Sequence, residues 1–179
     1  MDHNDHVNLL KPAGLKPGGT WADLGAGSGA FTFALRELIG PTASIYALDK
    51  DRASLNKLEP AYRARFGDSQ NLNLISGDFS HTLDLPILDG IVMANALHFF
   101  KDKEKILRHV RSFLKSNGML LIVEYNVDSG NPWVPYPLTF ETHRQLAPCA
   151  GFSEPRLLAK APSRFLREFY SAVCYADNS

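Results

Sequence analysis

Thr20-Trp21-Ala22-Asp23-Leu24-Gly25-Ala26-Gly27-Ser28-Gly29-Ala30-Phe31 decides how the rest of the chain is read. Its first half is a short apolar run of strand length, and its second half is a glycine turn leading into a helical pattern. Glycines at 25, 27 and 29 remove the Cβ from alternate positions of the turn, so a ligand can lie against the backbone. The helix that follows offers unpaired N–H groups at its start. A carboxylate, Asp23, stands two residues ahead of the first glycine.

Working outward, strands and helices alternate. Phe31, Ala34, Leu35 and Leu38 recur at helical spacing over 29–39, and Gly40-Pro41 stops that helix. A second strand over 44–48 ends at Asp49. Residues 51–66 read as helical, with Pro60 marking a break or a new start. A third strand over 72–76 is followed by Gly77-Asp78-Phe79, and a fourth over 88–94 runs into Asn95-Ala96-Leu97-His98-Phe99-Phe100. The stretch 101–114 predicts an amphipathic helix with Ile106, Leu107, Val110 and Leu114 inward. Asn117-Gly118 predicts a turn into a fifth strand over 119–123, which ends at Glu124-Tyr125-Asn126.

Beyond a loop rich in proline and aromatics (128–137), a helix is expected from Thr139 to Leu146 or slightly further. Two strands, 156–160 and 168–175, are close enough to form an antiparallel hairpin. Short apolar strands alternating with helices predict an α/β architecture with a parallel sheet covered on both faces. One domain is expected over 1–179, with 1–19 as a short cap that either covers a site or packs at an edge.

Composition narrows the partners. Nineteen Lys and Arg balance nineteen Asp and Glu, which gives no electrostatic case for a nucleic acid. Arg63 and Arg65 read as a solvated helix end. No apolar run reaches the ~20 residues of a membrane span, and the polar start does not resemble a signal peptide. Cys149 and Cys174 have no metal spacing and are expected to pack as core thiols. A cytoplasmic location is expected on these grounds.

The glycine turn alone admits several nucleotides. Gly25, Gly27 and Ala30 satisfy the relaxed dinucleotide pattern, and Asp49 sits where a ribose-binding acid belongs, so a nicotinamide-dependent oxidoreductase must be weighed. Asp23 argues against it, because a pyrophosphate beside that carboxylate meets a like charge. A ligand carrying an ammonium and a sulfonium is favoured there instead. Asp78, after the third strand, can accept from an adenine amino group.

The string Asp23-Leu24-Gly25-Ala26-Gly27-Ser28-Gly29 resembles the first motif of the class I S-adenosylmethionine-dependent methyltransferases, closest to the small-molecule branch that includes ubiquinone- and menaquinone-type enzymes. The resemblance covers about residues 15–126 well and the last fifty loosely. It implies a three-layer Rossmann-like fold whose mostly parallel seven-stranded sheet ends in an antiparallel hairpin. It also implies S-adenosyl-L-methionine as cofactor, held by Asp23, Gly25, Ala26, Gly27 and Gly29. Asp49 then takes the ribose hydroxyls, Lys50 borders the adenine, and Asp78 and Phe79 contact it. Asn95 meets the methionine part.

Methyl transfer is an in-line displacement, and the protein's task is to align the acceptor. His98, just past the fourth strand, is the candidate general base, with packing beside Phe99 and Phe100 as the alternative. Glu124, Tyr125 or Asn126 can orient the acceptor. His143 is expected at the surface. Trp133 and Tyr136, with Phe99 and Phe100, either wall a pocket for an aromatic or lipophilic small molecule or seal the sheet end. The segment Ala94-Asn95-Ala96-Leu97 lacks the Pro-Pro-aromatic sequence of exocyclic-amine methyltransferases. A non-catalytic, cofactor-binding partner protein remains the second reading. The acceptor and the oligomeric state are not encoded in any motif.

Overall fold

In the computed structural model, which describes residues 1–177, a single sheet carries both faces of the core. Strands β1 (Thr20–Leu24), β2 (Ser44–Asp49), β3 (Leu72–Ser76), β4 (Leu88–Ala94), β5 (Leu114–Tyr125), β6 (Arg156–Pro162) and β7 (Glu168–Tyr175) lie in the order β3-β2-β1-β4-β5-β7-β6. The first five run parallel, and β7 is antiparallel to both its neighbours. The last two positions of the expected domain, 178 and 179, lie outside the described residues.

Helices α1 (His3–Leu10), α2 (Ala30–Ile39), α3 (Arg52–Phe66), α4 (Lys103–Arg111) and α5 (Phe140–Cys149) cover the sheet. The inner strands β1, β4, β5 and β7 are largely buried on both sides, and successive residues divide between the two faces. On β5, Leu121 and Val123 join Phe31, Leu35 and Ile39 of α2 and Leu9 and Leu10 of α1. Leu120 and Ile122 join Leu107 and Val110 of α4 and Ala147 of α5. This is the three-layer arrangement a parallel sheet requires.

The order of strands fixes where a ligand can bind. The chain runs from β1 out to β2 and β3, then crosses back to β4 on the other side of β1. Loops leaving the carboxyl ends of β1 and β4 therefore turn away from each other and open a crevice at that point.

Several local expectations change. Pro60 stays inside α3, because the carbonyl it leaves unpaired lies on the exposed side of the helix. Helix α4 stops at Arg111, and Leu114, although buried, already pairs with Leu88 at the start of β5. Asn117-Gly118 is a bulge within β5. Pairing jumps from Leu88↔Leu114 to Gly90↔Met119, with Asn117 in the left-handed region at φ 59°. Cys149 is exposed and only Cys174 is a core thiol, since Cys149 falls on the outer side of the last turn of α5.

His143 is fully buried rather than at the surface. It lies on the sheet side of α5, 6.1 Å from the Tyr170 ring between centroids. No helix among the described residues is long and apolar enough to cross a membrane.

Candidate active site

The turn after β1 holds Gly25, Gly27 and Gly29 at φ 83°, 53° and 97°, all in the region that favours glycine. The three do different work. A Cβ on Gly25 would stand 2.8 Å from the Ala96 Cβ, so this glycine lets the β1 and β4 loops close on each other. A Cβ on Gly29 would meet Leu58 at 2.7 Å and Phe33 at 2.8 Å, so here glycine serves helix packing. Only at Gly27 is there nothing within 4 Å. Ligand approach, expected at all three, is open at Gly27 and at Gly25, which lines a cavity although its Cβ position faces Ala96, and is closed by protein at Gly29.

The turn is tied to β2. Gly25 and Ala26 donate their N–H groups to the Leu48 carbonyl at 2.8 and 2.9 Å. Gly27 N–H donates to Asp49 Oδ2 at 2.7 Å, and Asp49 Oδ1 accepts from Asp51 N–H at 2.8 Å. Each Asp49 oxygen keeps a further lone pair.

Across the crevice, Asn95 follows β4 at φ 54°, unusual for a side-chain-bearing residue. Its N–H donates to Val123 O at 2.8 Å, while its Oδ1 is buried without a hydrogen-bond partner among the described residues. Backbone strain and an unsatisfied buried acceptor at one residue mark a place kept for something other than folding.

Three cavities meet at Asn95. The first runs between Asp49, Lys50, Asp78 and Phe79, with Phe99 and Phe100 closing it. The second lies over the glycine turn, lined by Asp23, Gly25, Ala26, Gly27 and, from α1, His6. The third opens outward between α1 and the turn of the β6–β7 hairpin, with Tyr125, Phe165 and Phe169 in its wall. Gly25 belongs to the first two, and Asn95 to all three.

Electrostatics differ from one cavity to the next. Asp23 is 1% exposed and accepts from Thr32 Oγ1 at 2.6 Å. Burial raises its pKa to about 7, with the Thr32 bond opposing and the Asp49 charge adding. Burial also opposes ionisation of Asp78, but Ser80 donates to Asp78 Oδ1 from its N–H and its hydroxyl and holds the carboxyl below its ordinary value. Lys50 Nζ sits 6.0 Å above the Phe99 ring.

His98 is placed otherwise than a solvent-facing base. It is 3% exposed and is absent from the walls of all three cavities. Its Nδ1 lies 2.8 Å from Glu124 Oε2, and Glu124 Oε1 accepts from the N–H groups of Leu97 and His98. The proline-rich loop docks on the same segment through Tyr136 N–H, which donates to the His98 carbonyl. That loop buries Val134 and leaves Trp133 71% and Tyr136 42% exposed, so its large aromatics do not seal the sheet end as core.

All ten expected cofactor-binding positions except Gly29 line one of the first two cavities. The sequence pattern did not single out His6 or Phe165. The local signal for His6, an imidazole beside the apolar face of a capped first helix, becomes legible only once α1 is placed on α2.

The family profile described as "Methyltransferase domain" matches residues 15–156. The 2-phytyl-1,4-naphtoquinone methyltransferase of Trichormus variabilis is 28% identical over 121 residues, which cover 65% of this chain and 51% of that protein. The ubiquinone/menaquinone biosynthesis C-methyltransferase UbiE of Pasteurella multocida is 28% identical over 116 residues, covering 64% of this chain and 42% of that protein. The chain thus spans about half the length of these curated relatives. Human N-acetylserotonin methyltransferase, solved in complex with SAM, superimposes with a TM-score of 0.70 at 19% identity, over 97% of this chain and 52% of that one, a likeness of fold.

Proposed function

Because the chain belongs to the methyltransferase-domain family, we propose that it transfers a methyl group from S-adenosyl-L-methionine to a small lipophilic aromatic acceptor. The observation that carries this reading is the meeting of the three cavities at Asn95, at the β1/β4 switch point. A nucleoside fits the first, an amino-acid tail the second, and an acceptor the third.

The residues present suit the cofactor. Asp49 would accept from the ribose hydroxyls, keeping its bond to Gly27 N–H. Asp78, whose two Ser80 bonds both fall on Oδ1, would accept from the adenine amino group through Oδ2, with Phe79 and Lys50 beside the base. Asp23 would supply negative charge near the ammonium and sulfonium, and the unpartnered Asn95 Oδ1 would gain a donor. Bound there, the cofactor supplies an electrophilic methyl group on a cationic sulfur.

The chain's own part is alignment and exclusion of water. Glu124, by holding Leu97, His98 and through them Asn95, fixes one wall of the crevice. His98 acts in this reading as a positioning residue for that wall. The outer cavity has an aromatic side, Tyr125, Phe165 and Phe169, flanked by Trp133 edge-on to Phe165 at 6.3 Å, which supports a flat acceptor, and a polar side, Asp2, Asp5 and Arg164, which suits the hydroxyl such an acceptor carries.

A quinone ring is electrophilic, so an acceptor of the kind named for the first relative must be in its reduced, hydroxylated form to attack a methyl cation equivalent. The test is calorimetry with S-adenosylhomocysteine and with NADH, followed by methyl-labelled S-adenosylmethionine and dithionite-reduced 2-phytyl-1,4-naphthoquinone. Binding of S-adenosylhomocysteine and label in the extracted lipid are expected. Binding of NADH alone would overturn the reading, and cofactor binding without label in any of a panel of phenols and hydroquinones would favour the non-catalytic alternative.

A further inference from the structure

Three residues, Met1, His6 and Asn95, stand in the wall between the second and third cavities, and of these only His6 carries an imidazole. His6 lines the second together with Asp23 and Gly27, and the third together with Tyr125 and Phe165. Its place is determined by α1. An Asp2/Asp5 capping box starts that helix, Val7, Leu9 and Leu10 bury its apolar side, and His3 Nε2 is bound to Glu37 of α2 at 2.7 Å. The His6 ring lies against Phe31, 4.8 Å between centroids.

Neither ring nitrogen of His6 is hydrogen-bonded to a described residue, whereas His3, His81, His98 and His109 each have a partner. His143 also lacks one, but it is sealed in the core away from the crevice. Among the described histidines, His6 thus joins an unengaged imidazole to a position where cofactor and acceptor cavities touch.

Resting on the methyl-transfer reading above, we propose that His6 is a catalytic residue that receives the proton the acceptor gives up. Overall, one proton leaves the acceptor for each methyl it gains. The acceptor O–H bond breaks and its pair stays on the acceptor, which then forms the bond to the methyl carbon while the former bonding pair remains on sulfur. The proton on the imidazole passes to water through the outer cavity.

The charged groups around His6 permit this. Asp2, Asp5, His3 and the α-amino group share its helix, Asp23 faces it from β1, and Arg164 from the hairpin turn. Burial outweighs the acids and lowers the imidazole pKa from its ordinary 6.5, so the ring is unprotonated and able to accept at neutral pH.

The test follows the His6 imidazole by NMR through a pH titration, in the free protein and with saturating S-adenosylhomocysteine or S-adenosylmethionine, alongside His6→Gln. With its sulfonium next to His6, S-adenosylmethionine is expected to lower the His6 pKa further than S-adenosylhomocysteine does. His6→Gln is expected to bind S-adenosylmethionine within about threefold of the parent, to lose its acid limb in the pH–rate profile, and to fall in kcat by roughly 10²–10⁴. A His6 resonance indifferent to a ligand that calorimetry shows to be bound would overturn this proposal alone. An unchanged kcat in His6→Gln with any acceptor the parent methylates would do the same. Failure of the parent protein to bind S-adenosylmethionine would overturn the functional reading, and this proposal with it.

Discussion

The carboxylate of Glu124 and the segment beginning at Leu97 form one unit: Oε1 receives the N–H groups of Leu97 at 2.9 Å and His98 at 3.1 Å, while Oε2 holds His98 Nδ1 at 2.8 Å. Glu124 is fully buried at the end of β5, one strand away from the segment it holds. A buried carboxylate is tolerable because three donors surround it. The side chain thus acts as an inter-strand cap for the short 3₁₀ turn Leu97–Phe99 and sets where Asn95 and Ala96 meet the glycine turn.

Removing that cap should be costly. Glu124→Ala leaves two buried N–H groups and an imidazole without their acceptor, and a loss of about 3–5 kcal/mol is expected. Glu124→Gln keeps one acceptor oxygen and should lose less. Urea denaturation of the three proteins checks the order. A Glu124→Ala protein as stable as its parent would show that the carboxylate does not hold the segment.

Asp23 makes ligand-free stability and ligand affinity move in opposite directions with pH. Its pKa is raised from 3.8 to about 7, so between those values the folded protein keeps a proton that the unfolded chain has released. Stability therefore declines as pH rises through that window, by on the order of 4 kcal/mol, and stays lower above it. The charged form present above pH ~7 is the one that attracts a cation. Asp23→Asn should be more stable than the parent at pH 8 without ligand, yet bind S-adenosylmethionine more weakly, with the rise in affinity between pH 6 and 8 largely removed. Paired thermal-shift and calorimetric titrations across that range check both signs.

The two glycines nearest the crevice should fail in different ways. At Gly25 a methyl would press on the Ala96 Cβ at 2.8 Å, so Gly25→Ala should destabilise the fold itself. At Gly27 the space is open, and Gly27→Ala meets only the backbone cost of a left-handed conformation, about 1–2 kcal/mol. Its methyl group stands where the cofactor tail is expected, so binding of S-adenosylhomocysteine should weaken by at least about tenfold. Denaturation midpoints and dissociation constants for both variants separate the two roles.

Legibility in the sequence followed how local the physics was. The strand-turn-helix around Gly25, the acids closing β2 and β3, and the alternation of strands with helices depend on apolar period and turn chemistry within a few residues, and they could be read directly. His98 could not. Its partner Glu124 comes from β5, 26 residues further on, and nothing local to the segment after β4 announces that pairing. His6 was hidden for the same reason, since its helix acquires a face only by docking on α2. The helix boundary at Arg111 and the Asn117-Gly118 bulge were misplaced because Leu114 satisfies a helical period and a strand pairing equally well until β4 lies beside it.

His143 is the clearest case of tertiary structure overriding a local reading, and it predicts acid sensitivity. Both ring nitrogens and the neighbouring Tyr170 hydroxyl are buried without partners among the described residues. Burial lowers the imidazole pKa from 6.5 to about 4, so the folded protein resists a proton that the unfolded chain takes up. Between those values stability must fall as pH falls, and the whole window is worth about 3 kcal/mol. Carboxylates titrate over part of the same range, so the informative quantity is the difference between the parent and His143→Phe. Phenylalanine keeps the ring and removes both nitrogens. The variant should match or exceed the parent at pH 7, because no hydrogen bond is lost. Its advantage should then widen steadily toward pH 4 in urea titrations repeated at each half unit. Stability curves that run parallel across that window would mean that His143 takes up its proton in the folded state as readily as in the unfolded chain.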